Sequence, residues 1–139
     1  MSKMLLDTDI FSDILKGQNE SVKKRSIAYL AQYGFYTLST ITVIEIIKGL
    51  HKANREGHIQ ALMTRFRNAE ILSLDLQSCE LAGRISADLE RSGQTIGFAD
   101  PIIAAIAIRH GLTLVTGNEE HYQRILNLGY PLHYDNWRK

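Results

Sequence analysis

Short apolar runs alternate along the chain with longer segments in which apolar residues recur every three to four positions. The short runs predict β-strands, because each is too short for a helix, over residues 3–7, 35–38, 69–74, 113–116 and 132–134. The periodic segments predict helices over residues 10–16, 20–32, 40–54, 58–68, 76–92, 101–110 and 119–126. This alternation predicts a single α/β domain over residues 1–139, with a central parallel sheet and helices on both faces.

Turn and cap residues support these boundaries. Glycines follow four of the predicted helices, at positions 17, 34, 93 and 111, and Gly57 separates the third helix from the fourth. Asp75 is a natural N-cap for the long helix that follows it. Pro101 suits the first position of a helix, which makes the preceding Asp100 its predicted N-cap.

Three acidic residues each lie at the end of an apolar run or inside one: Asp7, Glu45 and Asp100. Carboxylates in apolar surroundings are costly unless a positive charge neutralises them. Hard divalent cations such as Mg²⁺ prefer carboxylate oxygens and fill that role. The carboxyl ends of parallel strands share one edge of a sheet, and the candidate residues converge on that edge. The pattern predicts an acidic metal site suited to phosphoryl chemistry.

Each carboxylate also has a purely structural interpretation. Asp7 or Asp9 could cap the first helix, and Asp100 could cap a later one. Glu45 could be a solvated residue that pairs with Lys48 one turn along its helix. Taken singly, Asp7 is the strongest functional candidate, because the Asp-Thr-Asp triplet holds more acid than one cap requires.

A second polar group follows the fourth predicted strand. Asn118 could simply cap the last helix after Thr116, or both could help to hold a phosphate or an attacking water. His121 is interpreted as packed or solvent-exposed, and Tyr122 and Trp137 as core or rim residues.

The basic residues cluster, although the formal net charge is only +1. Setting the three candidate carboxylates aside leaves +4 on the rest of the chain. The clusters are residues 23–25; Lys48, Lys52 and Arg55; and Arg65 with Arg67. An acidic pocket in basic surroundings suits a phosphate polymer, although ordinary solvated helix faces would give the same clusters.

The sequence favours a soluble cytoplasmic protein without a membrane partner. Cys79 is the one cysteine and cannot form a disulfide within the chain. The apolar segment at the N-terminus is too short for a signal peptide, and no apolar run approaches the ~18 residues that span a bilayer.

Four segments in order resemble the PIN-domain ribonucleases, especially the toxin subunits of VapC-type toxin–antitoxin pairs. They are residues 4–9, 42–49, 93–105 and 114–122, and together they extend over nearly the whole chain. The resemblance implies that Asp7, Glu45 and Asp100 bind magnesium, or manganese as a substitute. It implies endoribonuclease activity, in which a metal-activated water attacks an RNA phosphodiester, with Thr116, Asn118, Asp9 and Glu119 in support. It also implies a cognate antitoxin whose tail covers the active groove, and a homodimer.

The chain departs from the family pattern at two positions. Asp9 stands where the family usually has asparagine, and His121 stands where many members carry a fourth acid. Glu119 or Glu120 could supply that acid, and the choice between one and two metal ions stays open.

Two other functions are compatible with parts of the pattern. Leu5–Phe11 is similar to the first motif of haloacid-dehalogenase phosphatases, in which Asp7 would be the nucleophile and Asp9 the general acid. Phe11 does not match that motif, and a second late acid beside Asp100 is missing. The other alternative is a PIN-like module that binds RNA or protein without cleaving.

Overall fold

The structure is a computed structural model that describes residues 2–139. Its strands are β1 (Met4–Leu6), β2 (Thr37–Ser39), β3 (Glu70–Leu72), β4 (Thr113–Val115) and β5 (Tyr134–Asp135). Its helices are α1 (Thr8–Lys16), α2 (Glu20–Tyr33), α3 (Thr40–Lys52), α4 (Glu56–Arg67), α5 (Leu76–Arg91), α6 (Ala99–Arg109) and α7 (Glu119–Asn127).

All strand pairs are parallel and the strand order is β3-β2-β1-β4-β5. The chain leaves β1 in one direction to form β2 and β3, then returns to the other side of β1 to form β4. This reversal puts the topological switch point at the carboxyl end of β1, where open parallel sheets bind their ligands. The predicted α/β architecture is confirmed.

The sheet separates two apolar cores because successive residues of a strand point to opposite faces. Leu5 and Leu114 pack with α5, α6 and α7 on one face, whereas Leu6 and Val115 pack with α1–α4 on the other. In α6, every residue from Pro101 to Ala107 is buried. This helix therefore fixes the position of Asp100 firmly against the sheet.

Three helix starts differ from the prediction, and the first is that of α1, which begins at Thr8 and not at residue 10. α6 begins at Ala99 with Phe98 as its N-cap, so Asp100 lies in the first turn and is not the cap. Pro101 is tolerated there because first-turn N–H groups have no partner within the helix. Gly57 lies inside α4 and does not separate it from α3; the break falls at Asn54, which has a positive φ of 58°.

Strand boundaries also shift from their predicted places. β2 begins at Thr37 and leaves Phe35 outside the strand, while β5 covers Tyr134–Asp135, later than the predicted 132–134. The glycine stops at positions 17 and 34 are confirmed as left-handed C-caps, with φ of 65° and 80°. No helix within residues 2–139 is both long and apolar enough to cross a membrane.

Ser39 caps α3, the helix that carries Glu45. Its hydroxyl oxygen accepts the backbone N–H of Thr42 at 3.1 Å in a fully buried setting. We expect Ser39→Ala to lower the free energy of unfolding by about 1 kcal/mol, because the N–H of Thr42 loses its acceptor. Urea denaturation measures the change, and Ser39→Thr, which keeps an acceptor, is the matched control. An unchanged midpoint for the alanine variant would contradict the assigned cap.

Candidate active site

Asp7 lies at the junction of β1, β4 and α1 and is almost completely buried, with 3% of its surface exposed. Its backbone N–H donates to the carbonyl of Val115 at 2.8 Å, which continues the β1–β4 pairing by one residue. One carboxylate oxygen accepts the N–H of Thr8 and the other accepts the hydroxyl of Thr116, both at 2.8 Å. Asp7 is the N-cap of α1, so its structural and candidate functional roles coincide.

Burial raises the pKa of Asp7 to about 7, and the negative charges of Asp9 and Asp100 contribute to this rise. The hydrogen bond from Thr116 acts in the opposite direction. Asp7 and Asp100 are therefore close enough to repel each other, as the topology predicted. A carboxylate in this environment is stabilised by a bound cation.

Asp100 projects from the first turn of α6 toward α7. Its Oδ2 atom lies 2.8 Å from Nδ1 of His121. Because a carboxylate only accepts hydrogen bonds, Nδ1 carries the proton that is donated to Asp100. His121 thus occupies the place expected for a fourth acid, and it contacts one of the candidate metal ligands.

Tyr122 lies beneath both aspartates and is completely buried. Its hydroxyl group faces the carboxylates of Asp7 and Asp100, which are within reach as hydrogen-bond acceptors. Burial and the neighbouring charges of Asp7 and Asp100 raise the pKa of this hydroxyl well above its usual value. This buried hydroxyl adds a polar group to the lining of the acidic centre, next to both carboxylates.

Glu45 reaches the site from α3. Its Oε1 atom accepts the hydroxyl of Thr8 at 2.5 Å, and the same hydroxyl lies 3.0 Å from that of Thr42. The alternative pair with Lys48 is not formed among the described ion pairs. Thr8 follows Asp7 directly, so the contact brings Glu45 to the edge of the acidic centre.

The three carboxylates face one region without closing around one point. Among residues 2–139, no group of three His, Cys, Asp or Glu side chains is arranged to hold a metal ion. Glu45 is held by Thr8 and Asp100 by His121, which keeps the like charges apart. An all-oxygen donor set and the raised pKa of Asp7 fit a hard divalent cation that would draw these side chains inward.

Asp9 lies beside this centre, where its charge acts on Asp7, and its side chain reaches the loop after β4. One of its oxygens accepts the N–H of Ile10 at 2.8 Å, and the other accepts the N–H of Gly117 at 2.9 Å. Nη1 of Arg138 lies 3.7 Å from the second oxygen. Both oxygens are engaged, and a cation from the chain itself balances the extra charge that distinguishes Asp9 from asparagine.

The remaining predicted residues line the same loop. Thr116 is fully buried and accepts the N–H of Asn118 at 3.0 Å while donating to Asp7. Asn118 occupies the N-cap position of α7, as one interpretation held, but its side chain makes no capping hydrogen bond. Glu119 bonds to Lys139 and to Asn136, each at 2.8 Å, and Glu120 pairs with Arg124 on the surface.

Two parts of this region were not predicted from the sequence. The hydroxyl of Tyr122 was interpreted only as core or rim, although an aromatic with a polar group beside an acidic motif is a usable signal. The C-terminal residues Asn136, Arg138 and Lys139 form a wall beside Asp9 and Glu119. No local pattern marks that wall, because it depends on where β5 delivers the chain end.

A groove of about 680 Å³ runs from the acidic centre between α1, α3 and α4. Glu45 and Thr8 lie at one part of its lining, and Leu50 and Leu62 supply apolar surface. Its basic lining residues are Lys16, Arg55, His58 and Arg65. Gly49 leaves open space above α3 here, because a Cβ atom at this position would meet nothing within 4 Å. The groove offers both apolar and cationic contacts next to the carboxylates.

Comparisons with known proteins agree with this geometry. Residues 4–125 match the PIN domain family. The tRNA(fMet)-specific endonuclease VapC of Shigella flexneri is 30% identical over 126 residues, covering 90% of this chain and 93% of that protein. Ribonuclease VapC2 of Haemophilus influenzae is 31% identical over 143 residues and 99% of each chain. A crystal structure of DNA-bound VapBC from Salmonella typhimurium gives a TM-score of 0.80 at 29% identity, covering 99% of both chains.

The matched region contains Asp7, Glu45 and Asp100 together with the four segments that carried the sequence resemblance. The match extends over most of the chain, and the parallel sheet with its switch point at β1 agrees with it. PIN-domain nucleases as a class depend on metal ions, which fits the acidic centre. The chain belongs to the PIN-domain family.

Proposed function

We propose that this chain is a magnesium-dependent endoribonuclease of the VapC type, with Mn²⁺ able to replace Mg²⁺. The observation that carries the proposal is the approach of Asp7 to Asp100 at the carboxyl edge of the sheet, with Glu45 bonded to Thr8, the residue that follows Asp7. Relatives named as VapC endonucleases and ribonucleases, similar over nearly the full chain, support it.

The chain's own side chains divide the work of the site. Asp7, Asp100 and Glu45 would hold the cation through carboxylate oxygens. Thr116 fixes the orientation of Asp7 and His121 that of Asp100, because each donates a hydrogen bond to its carboxylate. A divalent cation bound there supplies a Lewis acid that lowers the pKa of water and stabilises negative charge on the phosphate.

The basic groove suits an RNA strand in the active protein and a protein partner in the inhibited one. We infer that a cognate antitoxin covers the groove, because its lining combines Leu50 and Leu62 with Arg55 and Arg65. The VapBC structure from Salmonella typhimurium supports this pairing by analogy. The chain also forms a homodimer in this proposal, since large apolar side chains such as Phe98, 86% exposed, remain uncovered.

Membership of the PIN family argues against the phosphatase alternative. Asp9, the general acid in that scheme, has both oxygens committed to backbone N–H groups. The non-cleaving binding module is a separate outcome of the activity test, because it would keep the fold and the groove.

We expect the purified chain to cut RNA into discrete fragments only when a divalent cation is present. The assay measures cleavage of total cellular RNA at increasing concentrations of Mg²⁺ or Mn²⁺. A chelator should stop cleavage, and excess metal added afterwards should restore it. Cleavage requires the cation because the carboxylates alone supply no electrophile. Metal-independent cleavage would contradict the mechanism, whereas RNA binding without cleavage would favour the binding module. Hydrolysis of small phosphoesters with RNA left intact would favour the phosphatase alternative.

A further inference from the structure

The last residues of the chain are fixed beside the acidic centre. After β5, Trp137 is buried against Tyr29 in the α1–α4 core, with 2% of its surface exposed. The hydroxyl of Ser21 donates to the carbonyl of Trp137 at 2.7 Å, and Arg25 donates to the carbonyl of Asn136 at 3.1 Å. These anchors place the next residue, Arg138, at a defined position.

The guanidinium group of Arg138 is held along one edge and open along the other. Its Nε donates to Oδ2 of Asp13 at 2.7 Å, and Nη1 lies 3.7 Å from Oδ2 of Asp9. Within residues 2–139, its Nη2 makes no ion pair or hydrogen bond, and 38% of the side chain is exposed. The hydrogen bond to Asp13 and the charges of Asp9 and Asp7 raise the pKa of Arg138, which keeps it cationic.

Gly117 makes room for this group. A Cβ atom at position 117 would lie 2.7 Å from Cζ of Arg138 and closer still to Nη1. It would also lie 2.7 Å from Oδ2 of Asp9. The absence of a side chain at position 117 therefore lets the guanidinium group lie close over the loop that follows β4. That loop begins at Thr116, which holds Asp7.

We propose that Arg138 binds a backbone phosphate of the RNA next to the one that is cleaved. The proposal rests on the function proposed above and adds a binding residue from the C-terminal wall. Asp13 orients the planar group through Nε, so its Nη atoms can meet phosphate oxygens with little further ordering. Cleavage needs the polymer to stay near a strongly acidic centre, and a fixed cation beside that centre offsets the repulsion.

The test measures binding of a labelled single-stranded RNA in the cleavage-deficient Asp100→Asn background, at constant Mg²⁺ and a series of KCl concentrations. Arg138→Gln should weaken binding about 3- to 10-fold at ~0.1 M salt. It should also reduce the slope of log K against log salt by about 0.7, the value for one phosphate contact on a single strand. Arg91→Gln is the matched control, because Arg91 ends α5, which packs on the opposite face of the sheet from α1–α4.

Gly117→Ala separates direct contact from the long-range field of the charge. It leaves the net charge unchanged but displaces the guanidinium group, so it should reproduce the loss of affinity and slope seen for Arg138→Gln. The double variant should then lose no more than either single variant. Circular dichroism melts confirm that each variant is folded.

Three results would overturn the assignment. An unchanged slope in Arg138→Gln would remove the contact. If RNA affinity falls in Arg138→Gln but not in Gly117→Ala, the charge of Arg138 acts only at long range. If the double variant binds RNA more weakly than both single variants, Gly117 acts through Asp9. If wild type cleaves RNA while these results appear, the Arg138 proposal alone fails. If the Asp100→Asn protein does not bind RNA and wild type does not cleave it, both the Arg138 proposal and the proposed function fail.

Discussion

Asp100→Asn is expected to reduce RNA cleavage at least about 100-fold while leaving the fold intact. The substitution removes one negative charge from the proposed metal site, and loss of a single electrostatic group at a reaction centre costs this much in other enzymes. Asparagine keeps an oxygen that can accept the N–H of His121, so the contact between α6 and α7 survives. Single-turnover cleavage of a defined RNA at saturating Mg²⁺ measures the loss.

The matched control for Asp100→Asn is Glu80→Gln. Glu80 is an exposed carboxylate on α5 that pairs only with Arg84 among the described ion pairs, so the same loss of charge occurs away from the site. The control should retain activity within about twofold of wild type, because a solvated surface pair contributes little. If Asp100→Asn kept a third or more of the wild-type rate with unchanged metal dependence, the catalytic cation would have to lie elsewhere.

The topology of the site was predictable because it follows from chain order. Strand and helix alternate, the sheet is parallel, and residues after parallel strands meet at one edge. Asp7 and Thr116 follow adjacent strands, so their 2.8 Å hydrogen bond is a direct consequence of that register. Asp100 comes to the same edge because its helix starts there.

Local details that depend on competing forces were predicted less well. The sequence suggested Asp100 as a cap because proline restricts the residue before it, yet the helix begins at Ala99, two residues before the predicted start. The burial of Pro101–Ala107 against the sheet outweighs that preference. The hydrogen bond between Thr8 and Glu45 joins residues 37 apart in sequence, and no local pattern contains it.

The C-terminal wall could not have been predicted from local sequence. Arg138 meets Asp13 across 125 positions of the chain, and the contact forms only because β5 adds to the sheet beside β4. The position of Arg138 explains how the fold accommodates the unusual Asp9. In isolation it suggested an extra metal ligand, whereas in the fold its charge faces Gly117 and Arg138.

The metal-free protein should lose stability as the pH rises through the neutral range, and Asp7 is the main cause. Its pKa rises from 3.8 to about 7 on folding, so between these values the native state binds a proton that the unfolded state has released. Stability therefore falls with increasing pH across this window, and the penalty is complete above pH 7. At ~1.4 kcal/mol for each pKa unit, it amounts to at most about 4 kcal/mol.

Asp7→Asn should consequently abolish cleavage and yet stabilise the metal-free protein at pH 8. The amide can accept the N–H of Thr8 and donate to the hydroxyl oxygen of Thr116, so both contacts of the native side chain have counterparts without the buried charge. Urea unfolding in the presence of a chelator at pH 8 should show that the variant's free energy of unfolding is larger by up to several kcal/mol. This difference shrinks toward pH 4, because the Asp7 carboxyl of wild type becomes protonated in the unfolded state as well as in the folded state. Added Mg²⁺ should stabilise wild type at pH 8 but not the variant. A variant less stable than wild type at pH 8 would mean that Asp7 acts mainly as a helix cap, with its buried charge compensated by the hydrogen bonds from Thr8 and Thr116.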